Sequence, residues 1–279
     1  MKYNRNIHDK PQLVKALIGT LSYRLFAPGN RLLVLNFHST PRQFIGEFES
    51  IIDFLEREFE IISPSVFFEN YGQQQVGNKN RVLITFDDGL KNNQYALEVL
   101  DKRNISSLLF VVPDFITSNE PESYYIRNIR PIINRYIDHE KEDFTPMSWE
   151  NLTGIVGKHS IGCHTLTHTM TKEFDHERLV SELIVSKKMI EEKLNISVNT
   201  FCSINNTLMS VGPEAKKMIN ELYDFHFTTI AGCNNELPDP HFIKRINVEC
   251  FWLKGAFKFS LSNLNLNRQK AAVRLYNQV

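Results

Sequence analysis

Two short polar motifs carry the residue types that could do chemistry here, and each follows a short apolar run. The first is Thr85-Phe86-Asp87-Asp88-Gly89, directly after Arg81-Val82-Leu83-Ile84. The second is His164-Thr165-Leu166-Thr167-His168, directly after His159-Ser160-Ile161-Gly162-Cys163. Neighbouring residues leaving a strand point to different sides, so one aspartate can bind a cation while the other stays free to accept a proton. Read alone, the Asp-Asp-Gly run equally fits a plain turn or a helix cap. Two histidines four apart fit either one helix face or a tight loop, and Gly162, Thr165 and Thr167 suit a compact loop. One aspartate with two histidines makes a three-ligand divalent site with positions left for water and substrate. Zinc fits that ligand set best, with Co, Ni, Mn and Fe as other occupants. The chemistry such a site supports is metal-assisted hydrolysis.

The elements that must position these motifs alternate in type along the chain. Strand-like segments run over residues 32–37, 81–86, 107–112, 159–163, 198–203, 225–230 and 242–248. Helical periodicity falls between them at 44–59, 92–102, 148–156, 175–194 and 212–223. The helix at 175–194 is the longest, with Leu179, Leu183, Ser186, Ile190 and Leu194 on one stripe. Buried strands alternating with helices predict a parallel α/β sheet, open or closed into a barrel. Residues 113–147 are long for a crossover and hold Tyr124, Tyr125, Arg127, Arg130 and Tyr136. They are read as an insertion that rises from the loop face and shapes a pocket, or as a merely decorative one.

Composition narrows the class. The chain has 279 residues, 42% hydrophobic and 23% charged, as in an ordinary globular protein. Its 32 basic residues balance 32 acidic ones, which argues against a nucleic-acid partner. Cys163, Cys202, Cys233 and Cys250 show no paired spacing and read as reduced, buried thiols, which favours a reducing compartment. No signal peptide is evident, and no apolar run approaches the ~20 residues of a transmembrane helix. The expected location is therefore the cytoplasm, with peripheral placement at the inner membrane face. Residues 1–30 carry Lys2, Arg5, Lys10, Lys15 and Arg24 against Asp9, with Leu13, Leu17, Ile18, Leu21 and Leu25 at helical spacing. That pattern is read chiefly as an amphipathic helix packed by its apolar stripe on the barrel, with peripheral membrane contact as the other option.

Together the two motifs resemble those of the polysaccharide deacetylase (NodB-homology) family of carbohydrate esterases. Asn36-Phe37-His38-Ser39, Met147-Ser148-Trp149-Glu150, Ile161-Gly162-Cys163-His164 and the helix bearing Glu182 add to the likeness, which runs from about Leu32 to Val248. The resemblance implies a distorted (β/α) barrel of seven or eight mostly parallel strands, with the site at their C-terminal ends. By position, Asp88, His164 and His168 would hold one divalent ion, zinc by the ligand set, and Asp87 would be the catalytic base. The implied reaction removes N-acetyl groups from a sugar polymer or glycan intermediate by attack of a metal-bound water. Residues 1–30 are then an N-terminal extension and 31–279 the deacetylase-like domain.

Two departures from the family pattern stand out. The third family motif, an aromatic strand followed by Arg-Pro or Tyr-Pro, is matched by Phe201-Cys202-Ser203-Ile204-Asn205-Asn206. The late Leu-x-His that supplies a general-acid histidine in many members does not occur after Cys250. His38, His226 and His241 become candidates for that acid, with His38 favoured because it ends the first strand. Arg245 resembles a late arginine that orients the base. The altered third motif motivates one alternative, a degenerate carbohydrate-binding member; a hydrolase of another bond, an O-acetyl ester or a non-sugar amide, is the other.

Overall fold

The computed structural model describes residues 14, 17–23, 31–72, 79–129, 144–172, 174–205, 210–235 and 239–262. Eight strands form one sheet among them: β1 (Leu32–Phe37), β2 (Glu60–Ile61), β3 (Arg81–Phe86), β4 (Leu108–Val111), β5 (Ser160–Cys163), β6 (Thr200–Cys202), β7 (Phe225–Phe227) and β8 (Ile246–Asn247). Their order is β7-β6-β5-β4-β3-β1-β8, with β2 set against the lower half of β3, and the paired strands run parallel.

The sheet curls until its two edges meet a common segment. Ile243 N–H donates to His226 O at 2.9 Å and Arg245 N–H to Ile230 O at 3.0 Å, against β7 and the residues after it. Three residues on, Val248 N–H donates to Asn36 O at 2.8 Å, against β1. The result is the distorted barrel that the alternation of elements and the family resemblance predict.

Strand periodicity sorts the core into two layers. Leu32 and Val34 of β1, Leu83 of β3, Leu108 and Phe110 of β4, Cys202 and Phe227 fill the inside of the barrel. The alternate residues Leu33, Leu35, Phe37, Val82, Ile84 and Phe86 point outward under the helices. The helix Ile45–Glu58 covers them with Phe48, Ile51, Ile52 and Leu55, and Phe37 meets Phe48 edge-on at 5.3 Å. Gly162 lies within β5, as the strand-like run 159–163 predicts. A Cβ there would stand 2.6 Å from the Phe110 ring, so the glycine makes room for that side chain inside the barrel.

The stripe Leu179, Leu183, Ser186, Ile190 and Leu194 is buried as expected, but the helix bearing it is not uniform. A π-helical turn at Val180–Val185 separates His176–Leu179 from Ser186–Leu194. Asn195 ends it at φ 51°, in the left-handed region that asparagine tolerates. Elements absent from the sequence reading are β2, the helix Pro64–Asn70 capped by Ser63 Oγ, and the helix Lys254–Ser260. The predicted insertion is described only at 113–129 and 144–147. Tyr136 and Arg130, like Asn206, fall outside the described residues.

The N-terminal helix reverses one expectation. Residues 17–23 are helical and do pack on the barrel, but through Gly19, Ser22 and Tyr23. Leu17, Ile18 and Leu21, expected to be the packed stripe, are exposed. The cause is a close crossing: a Cβ on Gly19 would collide with the carbonyl oxygen of Gly255. The smallest residues, not the largest, therefore make the inner face. Leu13 and Leu25 fall outside the described residues. No helix among the described residues is long and apolar enough to cross a membrane.

Candidate metal centre

Inward-facing positions change character as each strand rises. In β1 the column reads Leu32, Val34, Asn36, and the residues register-paired with Val34 and Asn36 on β3 are Leu83 and Thr85. The next inward position is Asp87, whose N–H donates to Phe37 O at 2.9 Å and so prolongs the ladder by one residue. The chain then turns sharply, with Asp88 at φ 73° and Gly89 at φ 71°. Glycine adopts that conformation freely and aspartate tolerates it, so the turn separates the two carboxylates while keeping both buried.

The second motif is a tight loop, which resolves the choice left open by its spacing. His164 N–H donates to Val111 O at 3.0 Å at the end of β5, and Thr165 and His168 take φ values of 64° and 57°. The Glu182 carboxylate, buried at the π-helical turn, holds the loop. Its Oε2 accepts from Leu166 and Thr167 N–H at 3.0 Å each, and its Oε1 accepts from Thr167 Oγ1 at 2.6 Å. In sequence, Glu182 stands out only through the family resemblance of the helix that bears it. Its role was visible at most as an acid on an otherwise apolar stripe.

The two imidazoles are oriented by backbone carbonyls. His164 Nδ1–H donates to Cys202 O at 2.8 Å and His168 Nδ1–H to Asn128 O at 2.8 Å. A carbonyl only accepts, so each Nδ1 carries the proton and each Nε2 is left with a lone pair. Both Nε2 atoms face Asp88 Oδ1, at 3.7 Å from His164 and 3.4 Å from His168. Ligands about 2.1 Å from a shared tetrahedral ion stand about 3.4 Å apart. The donor set and its outer hydrogen bonds thus fit a divalent cation. A second grouping, Asp87, His164 and Cys202, fits less well. Burial pushes the Cys202 thiol well up, and both Asp87 oxygens already accept from a guanidinium.

That guanidinium belongs to Arg245, on the segment that closes the barrel. Its NH1 and NH2 donate to Asp87 Oδ1 and Oδ2 at 2.7 and 2.9 Å, and its Nε to Thr228 O at 2.9 Å. NH1 also reaches Asn36 Oδ1 at 3.1 Å and NH2 reaches Cys202 Sγ at 2.7 Å. Burial pushes the Asp87 carboxyl upward, but Arg245, His164 and His38 outweigh it and hold the group below the usual carboxylate range. Burial also lowers His164, whereas at His168 the Asp88 carboxylate overcomes burial and raises the imidazole. His38 Nε2 lies 3.9 Å from Asp87 Oδ2.

These groups line a cleft of about 280 Å³ together with Ser203, Asn205 and Thr229. Of the three histidines considered as the acid, His38 alone is among the lining residues. His226 is fully buried, and that burial pushes it down to about 3. His241 is tied to Tyr223 O through Nε2 at 3.1 Å.

Residues 74–205 match the model of the polysaccharide deacetylase family. The match contains both motifs and leaves His38 and Arg245 outside it. Among solved structures, the deacetylase PplD of Streptococcus pyogenes, in complex with acetate, is similar at TM-score 0.62 and 14% identity. That match covers 86% of this chain and 98% of the other. IcaB from Ammonifex degensii gives 0.60 and 20%, covering 83% and 98%. The deacetylase domain of BpsB from Bordetella bronchiseptica gives 0.61 and 16%, covering 80% and 98%. At such identities the likeness is one of fold. No curated protein matches the sequence.

The Glu182 bonds give an expected result. Glu182→Gln keeps the shape but removes the charge that three donors share, so the His164–His168 loop should loosen. Metal affinity is expected to fall about 10–100-fold, as for other outer-shell partners, with the fold retained. Titration of the stripped protein with zinc measures it, and unchanged affinity would mean that the loop holds its shape without Glu182.

Proposed function

We propose that this chain is a metal-dependent hydrolase that removes N-acetyl groups from a polysaccharide or glycan intermediate. The observation that carries the reading is the fixed tautomer of His164 and His168. Their Nε2 lone pairs converge with Asp88 beside a separate carboxylate, Asp87, that Arg245 keeps ionised.

Asp88, His164 and His168 would hold a divalent ion, zinc by their donor set, which would supply Lewis acidity to the reaction. The remaining steps belong to the chain. Asp87, ionised at neutral pH, takes the proton of the attacking water as the new carbon–oxygen bond forms. Arg245 fixes both oxygens of that base and so orients it toward the cleft. His38, whose Nε2 stands 3.9 Å from the base, delivers a proton to the sugar nitrogen as the carbon–nitrogen bond breaks, leaving acetate and a free amine.

A second reading, glycan binding without turnover, has its own support. Ser203, Ile204 and Asn205 stand where the family pattern puts groups that order the oxyanion, and loss of one such donor costs roughly 10²–10³ in turnover. Acetate release from N-acetylated and O-acetylated oligosaccharides, before and after chelation, separates the readings. Release from the N-acetyl substrate that is lost with the metal and restored by zinc is the expected result. Preferential release from O-acetyl esters, or tight glycan binding with no release, would displace it.

A further inference from the structure

We infer that the face formed by the N-terminal helix is a docking surface for an anionic lipid bilayer. The inference stands apart from the chemistry of the cleft. Val14, Leu17, Ile18 and Leu21 are 53%, 81%, 45% and 61% exposed, and their spacing puts them on one side of the helix. The opposite side is already used: Gly19 meets the backbone of Gly255, and Tyr23 packs edge-on against Phe54 at 5.5 Å. Phe54 in turn packs on Phe257 at 5.6 Å, so the helix is anchored to Lys254–Ser260. Leu253, at the start of that second helix, is also exposed, with exposed Lys254 next to it. A surface helix whose aliphatic stripe faces away from its own core is the reverse of the usual pattern and marks an interaction face.

Charge selects the occupant. The chain is neutral overall, but residues 1–30 carry five basic residues (Lys2, Arg5, Lys10, Lys15, Arg24) against Asp9 alone. The second helix ends at Ser260, and beyond it the sequence carries Arg268, Lys270 and Arg274 with no acid. Both basic segments run on from the same pair of packed helices, and the compensating acidic excess lies in the body between. A second copy of this chain would bring the same positive charge to the contact and be repelled. An anionic bilayer offers headgroups to the basic residues and an acyl boundary to the leucines, and the two attractions together give stable peripheral binding. An enzyme acting on a glycan intermediate carried by a lipid would gain by such placement.

Sedimentation of the full chain with vesicles tests this, using phosphatidylcholine alone and phosphatidylcholine mixed with phosphatidylglycerol. The wild-type protein is expected to bind the anionic vesicles about tenfold or more tightly than the neutral ones, and to release as salt is raised. The double variant Leu17→Glu/Leu21→Glu changes only exposed positions, so it should fold normally and release acetate from a soluble oligosaccharide at the wild-type rate. Its affinity for anionic vesicles should drop about tenfold or more. Equal vesicle binding by variant and wild type would overturn the inference, as would no binding by either. A wild-type dimer in gel filtration that the variant abolishes would assign the face to self-association instead. Absence of acetate release from both proteins bears only on the proposed reaction, since the vesicle assay reads docking alone.

Discussion

Asp87→Asn is expected to keep its metal and lose turnover by about 10²–10⁴-fold, while Asp88→Asn loses metal and turnover together. The two side chains are neighbours in sequence, yet their surroundings differ. Asp87 is locked by Arg245, and its amide replacement keeps the shape and cannot take a proton. Asp88 faces two imidazole lone pairs, so an amide there trades an anionic ligand for a weaker neutral one. Asparagine is the right substitute at Asp88 for a second reason. The residue sits at φ 73°, and asparagine tolerates the left-handed region where alanine would add strain. Were both carboxylates only turn or cap residues, each change would cost about 1 kcal/mol of stability and the two would behave alike. Metal content, melting temperature and acetate release for both variants decide the matter. Equal metal loss in the two, or normal turnover in Asp87→Asn, would remove the assigned roles.

The second large effect concerns the buried ion pair. Arg245→Met strands the Asp87 carboxylate, 2% exposed, without its partner, and breaking such a pair costs about 3–5 kcal/mol. For a chain of this size the melting temperature should fall by on the order of 10 °C. The pH dependence should also change sign. In the wild type the folded pKa of Asp87 is depressed, so its contribution is present above the unfolded value of about 3.9 and is lost as pH falls through the folded one. In Arg245→Met, burial acts with much less opposition and raises the folded pKa. The variant should then be relatively most stable in acid and lose stability as pH rises through the raised value. Adding Asp87→Asn to Arg245→Met removes the stranded charge and should recover much of the stability but none of the turnover. Thermal unfolding of the stripped proteins across pH measures all three, and an Arg245→Met protein as stable as wild type at neutral pH would refute the account.

How far the sequence disclosed this arrangement depends on which physical signal each residue carried. The strands were legible because their buried runs are short and bounded, and the columns Leu32-Val34-Asn36 and Leu83-Thr85-Asp87 even show where the interior turns polar. The histidine loop was half legible. Spacing allowed a helix or a loop, and only the backbone at Thr165 and His168 decides. The N-terminal helix departs from the expectation that apolar residues face inward, because Gly19 sets the packing distance and Tyr23 supplies the contact. The Pro64–Asn70 helix carried a usable sign, Ser63 before Pro64 at its first turn. What no local pattern could reveal were the Asn128 carbonyl behind His168 and Glu182 beneath the loop, and Arg245 at Asp87, across 158 positions of sequence, was legible only through the family resemblance.

That last separation bears on how the protein comes to be active during synthesis. Arg245 rides on the segment that joins β7 to β1, and β8 is the last strand along the described chain. A ribosome that has released residues up to about 205 has already made Asp88, His164, His168 and Asp87. The nascent chain thus holds all three proposed ligands before the cationic side chain that tames Asp87 exists. Until the final strand zips into the seam, Asp87 has no guanidinium to offset its burial, and the inside of the barrel stays open to water along the missing edge. The proposed ligand set and the ion pair at Asp87 are therefore completed at separate points in the making of one chain, the second only when the cylinder is shut.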